Sequence, residues 1–482
     1  MKQSNSIPWD QVQAALRKIW GYNEFRPPQA EIIQTLLTGK DALIVMPTGG
    51  GKSICFQLPA VLKTGLTLVI SPLVALMENQ VQELLEHQLP AALIHSQISK
   101  YNRQQTLSKL QNNQLRLLYL SPETLFSPSV WNILSQPHLI INGLILDEAH
   151  CLVQWGDTFR PSYRRLGTVR EALLKTKPTG SKIAIAAFTA TADPTAQQVI
   201  KSVLKLQKPQ YYLLNPYRKN LHLKIQTVWS SHGREKQLLN FIQLHQKQSG
   251  LVYVRTRKES EKLAKLLQTK QYKTAAYHGG LSGTKRRQIE QAWLQDKIQF
   301  VVCTSAFGMG INKPNVRWVI HFQAPCLLSE YIQEVGRAGR DGKPASALTL
   351  VSEPTGLLYP EDKQRRKFLT ENLHQQQQIA QKLAKKLPIK GELNAVSRQY
   401  PQAAMALSLL HSWEQLTWRD PFHYIISTHK SKQNSNHNQN AIQKMTQYLN
   451  TRQCRWQFLL QAFGFTTEAE SMKCGHCDNC KS

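Results

Sequence analysis

Two carboxylates stand where an apolar run stops. The stretch "LIINGLILDEAH" (Leu139–His150) leads into Asp147 and Glu148. Carboxylates at a strand end suit a metal ion and a water. Asp147 would hold Mg²⁺, directly or through water, and Glu148 would orient and deprotonate the attacking water. A phosphate-binding stretch lies upstream. "DALIVMPTGGGKS" (Asp41–Ser53) passes from an apolar run through Thr48, Gly49, Gly50 and Gly51 to Lys52 and Ser53, where a helical pattern begins. Glycines let the backbone N–H groups wrap a phosphate chain. Lys52 can reach the β- and γ-phosphates, and the Ser53 hydroxyl can ligate Mg²⁺. A chance glycine-rich turn is the alternative, and the Lys-Ser pair with two downstream carboxylates weighs against it.

Directly behind the carboxylates runs "CLVQWGDTFR" (Cys151–Arg160). Nucleic-acid bases stack on aromatic rings for about 1–3 kcal/mol per base. A loop continuous with the carboxylates can therefore report a bound strand to a phosphate site. Trp155, Phe159 and Arg160 are the candidate sensors, with His150 and Gln154 between them and the carboxylates. Ordinary core aromatics are the alternative, but the loop is rich in turn formers and poor in apolar neighbours. Further on, "YIQEVGRAGRDG" (Tyr331–Gly342) sets Gln333, Arg337 and Arg340 at helical spacing, which predicts one helix face. Arginine presents a fixed charge with bidentate geometry toward phosphate, and such a finger contributes on the order of 10³–10⁵ in rate.

The last thirty residues hold a different chemistry. Cys474, Cys477 and Cys480 form C-x₂-C-x₂-C, and Cys454 precedes them on an apolar segment read as helical. Four thiolates suit tetrahedral Zn²⁺, and an iron–sulfur cluster is the alternative for this spacing. His476 sits too tightly between two cysteines to join them.

These residues need rigid elements to position them. Near-continuous apolar runs at Leu66–Leu73, Leu115–Glu123, Leu139–His150 and Lys182–Ala192 alternate with helical patterns, which predicts a parallel sheet buried on both faces. Ligands gather at the carboxyl ends of such strands. Thr48, Ser71, Ser121, Asp147 and Thr189 all fall there. A second α/β pattern starts at "GLVYVRTRKESEKLAKLLQ" (Gly250–Gln268) and has no phosphate loop of its own.

At 482 residues the chain calls for two to four domains. Sixty Lys+Arg against 31 Asp+Glu give a formal charge of +29, which favours a polyanion, nucleic acid first and anionic membrane second. No apolar run approaches the roughly 18–20 residues of a membrane span. "MKQSNSIPWD" lacks a signal-peptide core. The expectation is a cytoplasmic, nucleoid-associated monomer with no membrane partner.

Taken together these motifs resemble the RecQ family of superfamily 2 DNA helicases. The resemblance covers most of the chain. "MPTGGGKS", "SPLVALM", "DEAH", "FTATA" and "YIQEVGRAGRDG" are similar to successive helicase motifs, and "HCLVQWGDTFRPSYRRLG" to the family's aromatic-rich loop. Met46 stands where the strict phosphate-loop pattern has glycine, which fits the helicase variant of that loop. The resemblance implies an adenine-reading segment in "GYNEFRPPQAEII", with Tyr22 and Arg26 sandwiching the ring and Gln29 bonding its edge. It implies Arg340 as the finger, Arg337 beside the γ-phosphate, and Gly310 and Asn312 facing the nucleotide in "TSAFGMGINKP". It also implies zinc at the four cysteines, ATP and Mg²⁺ as cofactors, DNA as partner, 3′ to 5′ polarity, and work in recombination and repair. An RNA helicase and an ATP-switched DNA-binding or annealing protein are the alternatives. The aromatic loop and cysteines weigh against the first, and the intact Lys52, Asp147, Glu148 and Arg340 against the second.

The expected architecture is α/β, with two tandem RecA-like lobes at 1–207 and 208–352. A helical zinc module follows at 353–390 and 441–482. It is interrupted by a winged-helix-like unit at 391–427 and a polar linker at 428–440. The chain ends two residues after Cys480, so the winged helix that often follows the zinc module in this family is not expected there. The inserted unit is expected to substitute as the duplex-binding element. Trp418, Phe422 or Tyr424 would be its separating tip, or else pack its own core.

Overall fold

The computed structural model describes residues 7–154, 160–308, 311, 313–427 and 437–481. The chain divides into two compact units. The first is built mainly from Met1–Met46, Gly50–Leu214 and His374–Asn434, the second mainly from Asn215–Leu373 and Ser435–Ser482.

The first unit carries a seven-stranded sheet. Its strands are β1 (Ala42–Val45), β2 (Leu66–Ile70), β3 (Ala91–Ile94), β4 (Leu117–Leu120), β5 (Ile141–Leu146), β6 (Ala184–Thr189) and β7 (Gln210–Leu213). They lie in the order β3-β4-β2-β5-β6-β1-β7, and every pairing is parallel. Successive side chains alternate between faces. Leu43, Val45, Leu68, Leu118 and Leu144 feed one core, while Ile44, Val69, Tyr119, Ile145 and Phe188 feed the other. That is why the central strands read as unbroken apolar runs. The pairings Ile70↔Leu146 and Val45↔Thr189 align the carboxyl ends, so Ser71, Asp147 and Thr189 line one edge. β3 and β7 are short edge strands without such a run, and the sequence alone does not mark them. β7 also carries the sheet past residue 207 to Leu213.

The second unit carries β8 (Leu221–Val228), β9 (Gly250–Tyr253), β10 (Thr274–Tyr277), β11 (Phe300–Cys303), β12 (Trp318–His321) and β13 (Ala345–Ser352). They are ordered β10-β11-β9-β12-β13-β8, all parallel. Gly250 is required by packing, since a Cβ there would lie 2.1 Å from the Trp318 ring. The C-terminal segment packs on this unit: Tyr448, Trp456, Leu459 and Cys477 share a core with Leu221, Leu223 and Tyr331.

Following the helix Glu361–Ala384, β14 (Lys390–Glu392), the helices Leu393–Gln399 and Ala403–Ser412, β15 (Leu416–Trp418) and β16 (His423–Ile426) build a small antiparallel sheet ordered β14-β16-β15. These elements follow one another as helix, strand, two helices and a hairpin. Its core contains Leu393, Val396, Leu407, Trp413, Trp418 and Tyr424. The aromatics read as a separating tip are therefore spent elsewhere. Trp418 and Tyr424 are 4% and 1% exposed in the unit's own core, and Phe422 packs against Phe126 and Trp131.

Among the described residues no helix is long and apolar enough to cross a membrane.

Candidate functional site

The phosphate loop leaves β1 and enters the helix Lys52–Leu62. Gly49 and Gly51 adopt φ of 88° and 77°, in the left-handed region that favours glycine. At Gly51 a Cβ would also meet the Gln29 amide nitrogen at 2.3 Å. Gln29 is buried here and donates to the carbonyls of Gly50 and Gly51 at 3.1 and 3.3 Å, while its oxygen accepts from the Arg26 N–H at 2.9 Å. Tyr22 and Arg26 beside it are exposed. The Lys52 ammonium nitrogen is buried with no hydrogen-bond partner. A buried cation left so is costly, and a phosphate oxygen is the partner that would satisfy it.

Asp147 follows β5 and is 4% exposed. Its pKa is pushed up to about 6 by burial and by the neighbouring Glu148 charge, with Lys52 and Gln80 opposing. Gln80, on the helix Val74–Glu86, places its amide nitrogen 3.4 Å from both Ser53 Oγ and Asp147 Oδ2. It thereby joins the phosphate loop to the carboxylate. Sequence reasoning missed Gln80, because a single amide on an amphipathic helix carries no pattern. Glu148 takes a left-handed φ of 53°, uncommon for a non-glycine residue and concentrated at functional sites. Its N–H donates to Asp147 Oδ1 at 3.0 Å.

His150 Nδ1 lies 3.2 Å from Glu148 Oε2 and 3.2 Å from Thr189 Oγ1, so it ties the end of β5 to the end of β6. Burial works against the imidazolium, but Cys151 and Glu148 on either side outweigh it and hold the pKa up at about 10. The Gln154 side chain, Trp155, Phe159, Gly310 and Asn312 lie outside the described residues. Arg160 is described. It donates to Glu123 at 3.2 Å at the start of the 3₁₀ helix Pro161–Thr168.

In the second unit the helix read through Arg340 ends earlier, spanning Leu328–Val335. Gln333 is on it, whereas Arg337 and Arg340 lie in the turn beyond. Gly336 and Gly339 break the pattern. A Cβ at Gly336 would press on the Ile332 carbonyl at 2.7 Å, and Gly339 has φ 62°. Arg337 is buried and donates to the Gly308 carbonyl, and Arg340 donates to that of Ile311 at 3.3 Å. Both arginines thus donate to backbone carbonyls that follow β11.

The four C-terminal cysteines come together, with all four sulfurs within 4.8 Å of one another. Cys454 is the N-cap of the helix Arg455–Ala462 rather than a residue inside it. The Cys474, Cys477 and Arg455 N–H groups donate to the sulfurs of Cys454, Cys474 and Cys477 at 3.3, 3.3 and 3.5 Å. Such donors favour the thiolate form, so the donor set fits a tetrahedral Zn²⁺. His476 is outside the group and rests against Tyr217 and His222. Asp478 ties the cluster to the edge strand β8, accepting from the Ile225 N–H at 2.8 Å and from Arg455 Nε at 2.9 Å.

Known families match the same regions. The DEAD/DEAH box helicase family matches residues 26–199, the helicase conserved C-terminal domain 233–342, and the RecQ zinc-binding family 419–481. The chain is 52% identical to an ATP-dependent DNA helicase RecQ of Synechocystis, over 97% of this chain and 98% of that one. It is 40% identical to an ATP-dependent DNA helicase RecQ of Pasteurella multocida over 73% of this chain, and spans 54% of that protein. Solved structures similar in fold include S. cerevisiae Dbp5 bound to RNA and ADP BeF3, with TM-score 0.58, 18% identity, and coverage of 72% of this chain and 89% of that one. Another is Mycobacterium smegmatis helicase Lhr bound to single-stranded DNA and AMP-PNP, with TM-score 0.58, 18% identity, and coverage of 90% and 62%. The chain belongs to the RecQ family of ATP-dependent DNA helicases.

Proposed function

We propose that the protein moves along single-stranded DNA with 3′ to 5′ polarity, coupling ATP hydrolysis to duplex unwinding in recombination and repair, as a monomer of the cytoplasm and nucleoid. The observation that carries this reading is the Lys52 ammonium, buried without a hydrogen-bond partner in a loop joined through Gln80 to Asp147. Thr48, Gly49, Gly50 and Gly51 would wrap the phosphates, Lys52 would bind the β- and γ-phosphates, and Ser53 and Asp147 would hold Mg²⁺. The ion would offset charge on the phosphate oxygens. Glu148, positioned by His150, would take the proton of the attacking water. Tyr22, Arg26 and Gln29 would read adenine. Arg340 would offset the charge developing on the γ-phosphate, with Arg337 beside it and Gly310 and Asn312 at the nucleotide.

Trp155 and Phe159 would stack on bases, with Arg160 on a phosphate and His150 and Gln154 relaying occupancy to Glu148. Cys454, Cys474, Cys477 and Cys480 would hold structural Zn²⁺. The proposed domain division sets the first lobe against the second near Leu214 rather than at 207, so that β7 stays with its sheet, with the second lobe running to 352, a zinc module at 353–390 and 441–482, a winged-helix-like unit at 391–427 and a linker at 428–440.

The test is unwinding of a labelled duplex carrying either a 3′ or a 5′ single-stranded tail, with ATP and Mg²⁺. Unwinding of the 3′-tailed substrate alone, lost in Lys52→Ala, is expected. Equal unwinding of both tails, or of an RNA duplex, overturns the polarity or the substrate.

A further inference from the structure

The inserted unit places both of its usual nucleic-acid elements against protein. In a helix-turn-helix type fold the last helix enters the groove and needs Arg, Lys, Asn or Gln at its surface. Here that helix is Ala403–Ser412, "AAMALSLLHS", with no lysine or arginine, and none of its residues is exposed. It packs on the 3₁₀ helix Pro161–Thr168 of the same compact unit. The hairpin turn between β15 and β16 is equally occupied. Phe422 meets Trp131 edge-on at 5.3 Å and Phe126 at 6.2 Å. Arg165 is buried, donating to the Pro421 carbonyl at 2.9 Å and to Ser162 Oγ at 3.1 Å. Its guanidinium lies 4.2 Å from the Phe126 centroid and 6.0 Å from that of Trp418. Asp420 fixes the turn by accepting from the Phe422 and His423 N–H groups at 2.8 and 2.9 Å.

The contact lands on one segment of the first unit. Residues Ser162–Thr168 are all buried, and Arg160 precedes them on its bond to Glu123. Glu123 lies in the short helix Pro122–Leu125, whose C-cap is Phe126. The insertion, the 3₁₀ helix and the Arg160 anchor therefore form one packed cluster.

We propose that the inserted unit is an internal brace, not a DNA reader: with Arg165 and Phe422 as positioning residues it fixes Pro161–Thr168 and thereby sets how strongly bound DNA raises ATP hydrolysis. This rests on the proposed function, in which the preceding segment senses the strand. Arginine suits the contact because a flat guanidinium both stacks on a ring and donates from its edge. A lysine at 165 would keep the charge and lose that fork.

The test measures ATP hydrolysis against single-stranded DNA concentration for wild type, Arg165→Met, Arg165→Lys and Phe422→Ala. Equilibrium binding to a blunt duplex is measured in parallel for a Lys390→Ala, Arg398→Ala, Arg419→Ala triple variant, which alters exposed residues of the insertion. The brace predicts unchanged hydrolysis without DNA and unchanged KM for ATP in the three single variants. It predicts about a tenfold loss of DNA stimulation, or about a tenfold rise in half-saturating DNA, in Arg165→Met and Phe422→Ala, with little rescue by lysine. It also predicts unaltered duplex binding by the triple variant, whose surface changes leave the core intact. A normal stimulation curve in folded Arg165→Met and Phe422→Ala, or a tenfold loss of duplex binding in the triple variant, overturns it. A wild-type protein indifferent to DNA would instead overturn the functional reading beneath it.

Discussion

The guanidinium of Arg255 meets the Glu334 carboxylate with both ends, at 3.1 and 2.8 Å, and His321 Nε2 stands 2.9 Å from the same carboxylate. Arg255 follows β9, His321 ends β12, and Glu334 lies on the helix next to Gln333. The pair therefore fixes the helix that leads to Arg337 and Arg340. Breaking a buried pair from one side costs about 3–5 kcal/mol, because the remaining charge is stranded. Arg255→Met is expected to lose that much stability in urea titration, and the double variant with Glu334→Met to recover at least half. Additive losses would show that the two residues act separately.

The same pair predicts an acid limb. Burial alone would raise the Glu334 pKa, but Arg255 and His321 hold it down at about 2, against an ordinary value of 4.5. A depressed carboxylate contributes stability that is full above 4.5 and is lost as pH falls toward 2. Urea midpoints between these values should fall more steeply for wild type than for Glu334→Gln.

His411 titrates in another window. It lies on the inserted helix Ala403–Ser412, where burial first, then Arg164 and Lys205, lowers its pKa from 6.5 to about 3. The unfolded chain takes up a proton below 6.5 while the folded one does not until about 3. Stability is thus full above 6.5 and declines as pH falls through that range, at most by about 1.4 kcal/mol per unit. Protection factors of the insertion's amides, corrected for the intrinsic exchange rate at each pH, should fall from pH 7 to pH 5 in wild type and much less in His411→Leu.

Gln80 bridges Ser53 and Asp147 through a single amide nitrogen. Partners behind metal ligands typically cost 10–100-fold in metal affinity or activity when removed. Gln80→Leu is expected to raise the Mg²⁺ concentration for half-maximal ATP hydrolysis about tenfold, with an unchanged melting temperature. An unchanged Mg²⁺ titration would remove Gln80 from the site.

The four cysteines predict one zinc per chain by elemental analysis. Asp478 and Arg455 stitch their cluster to β8, and Cys477 shares the second unit's core. Chelation should therefore lower the stability of that whole unit rather than release a loose tail. Cys454→Ala should abolish the stoichiometry.

Residues whose chemistry depends on contiguous spacing were legible in sequence. Lys52 and Ser53 behind three glycines, Asp147 and Glu148 at a strand end, and the C-x₂-C-x₂-C run each carry their geometry in a few positions. Strands buried on both faces were legible for the same reason, and short edge strands such as β3 and β7 were not. Gln80, Arg255 and Glu334 were invisible because each acts through a partner tens of residues away. Arg337 and Arg340 fell off the expected helix because Gly336 and Gly339 end it. Trp418, Phe422 and Tyr424 could serve a core or a nucleic acid equally well by type, and only packing assigned them to protein.

The central claim, a motor gated by single-stranded DNA, is met most directly by ATP hydrolysis measured with no nucleic acid, with single-stranded DNA and with single-stranded RNA, for wild type and Trp155→Ala. The account predicts strong stimulation by DNA, little by RNA, and loss of stimulation in Trp155→Ala while DNA binding survives. Hydrolysis that ignores DNA, or that RNA raises equally, would contradict it.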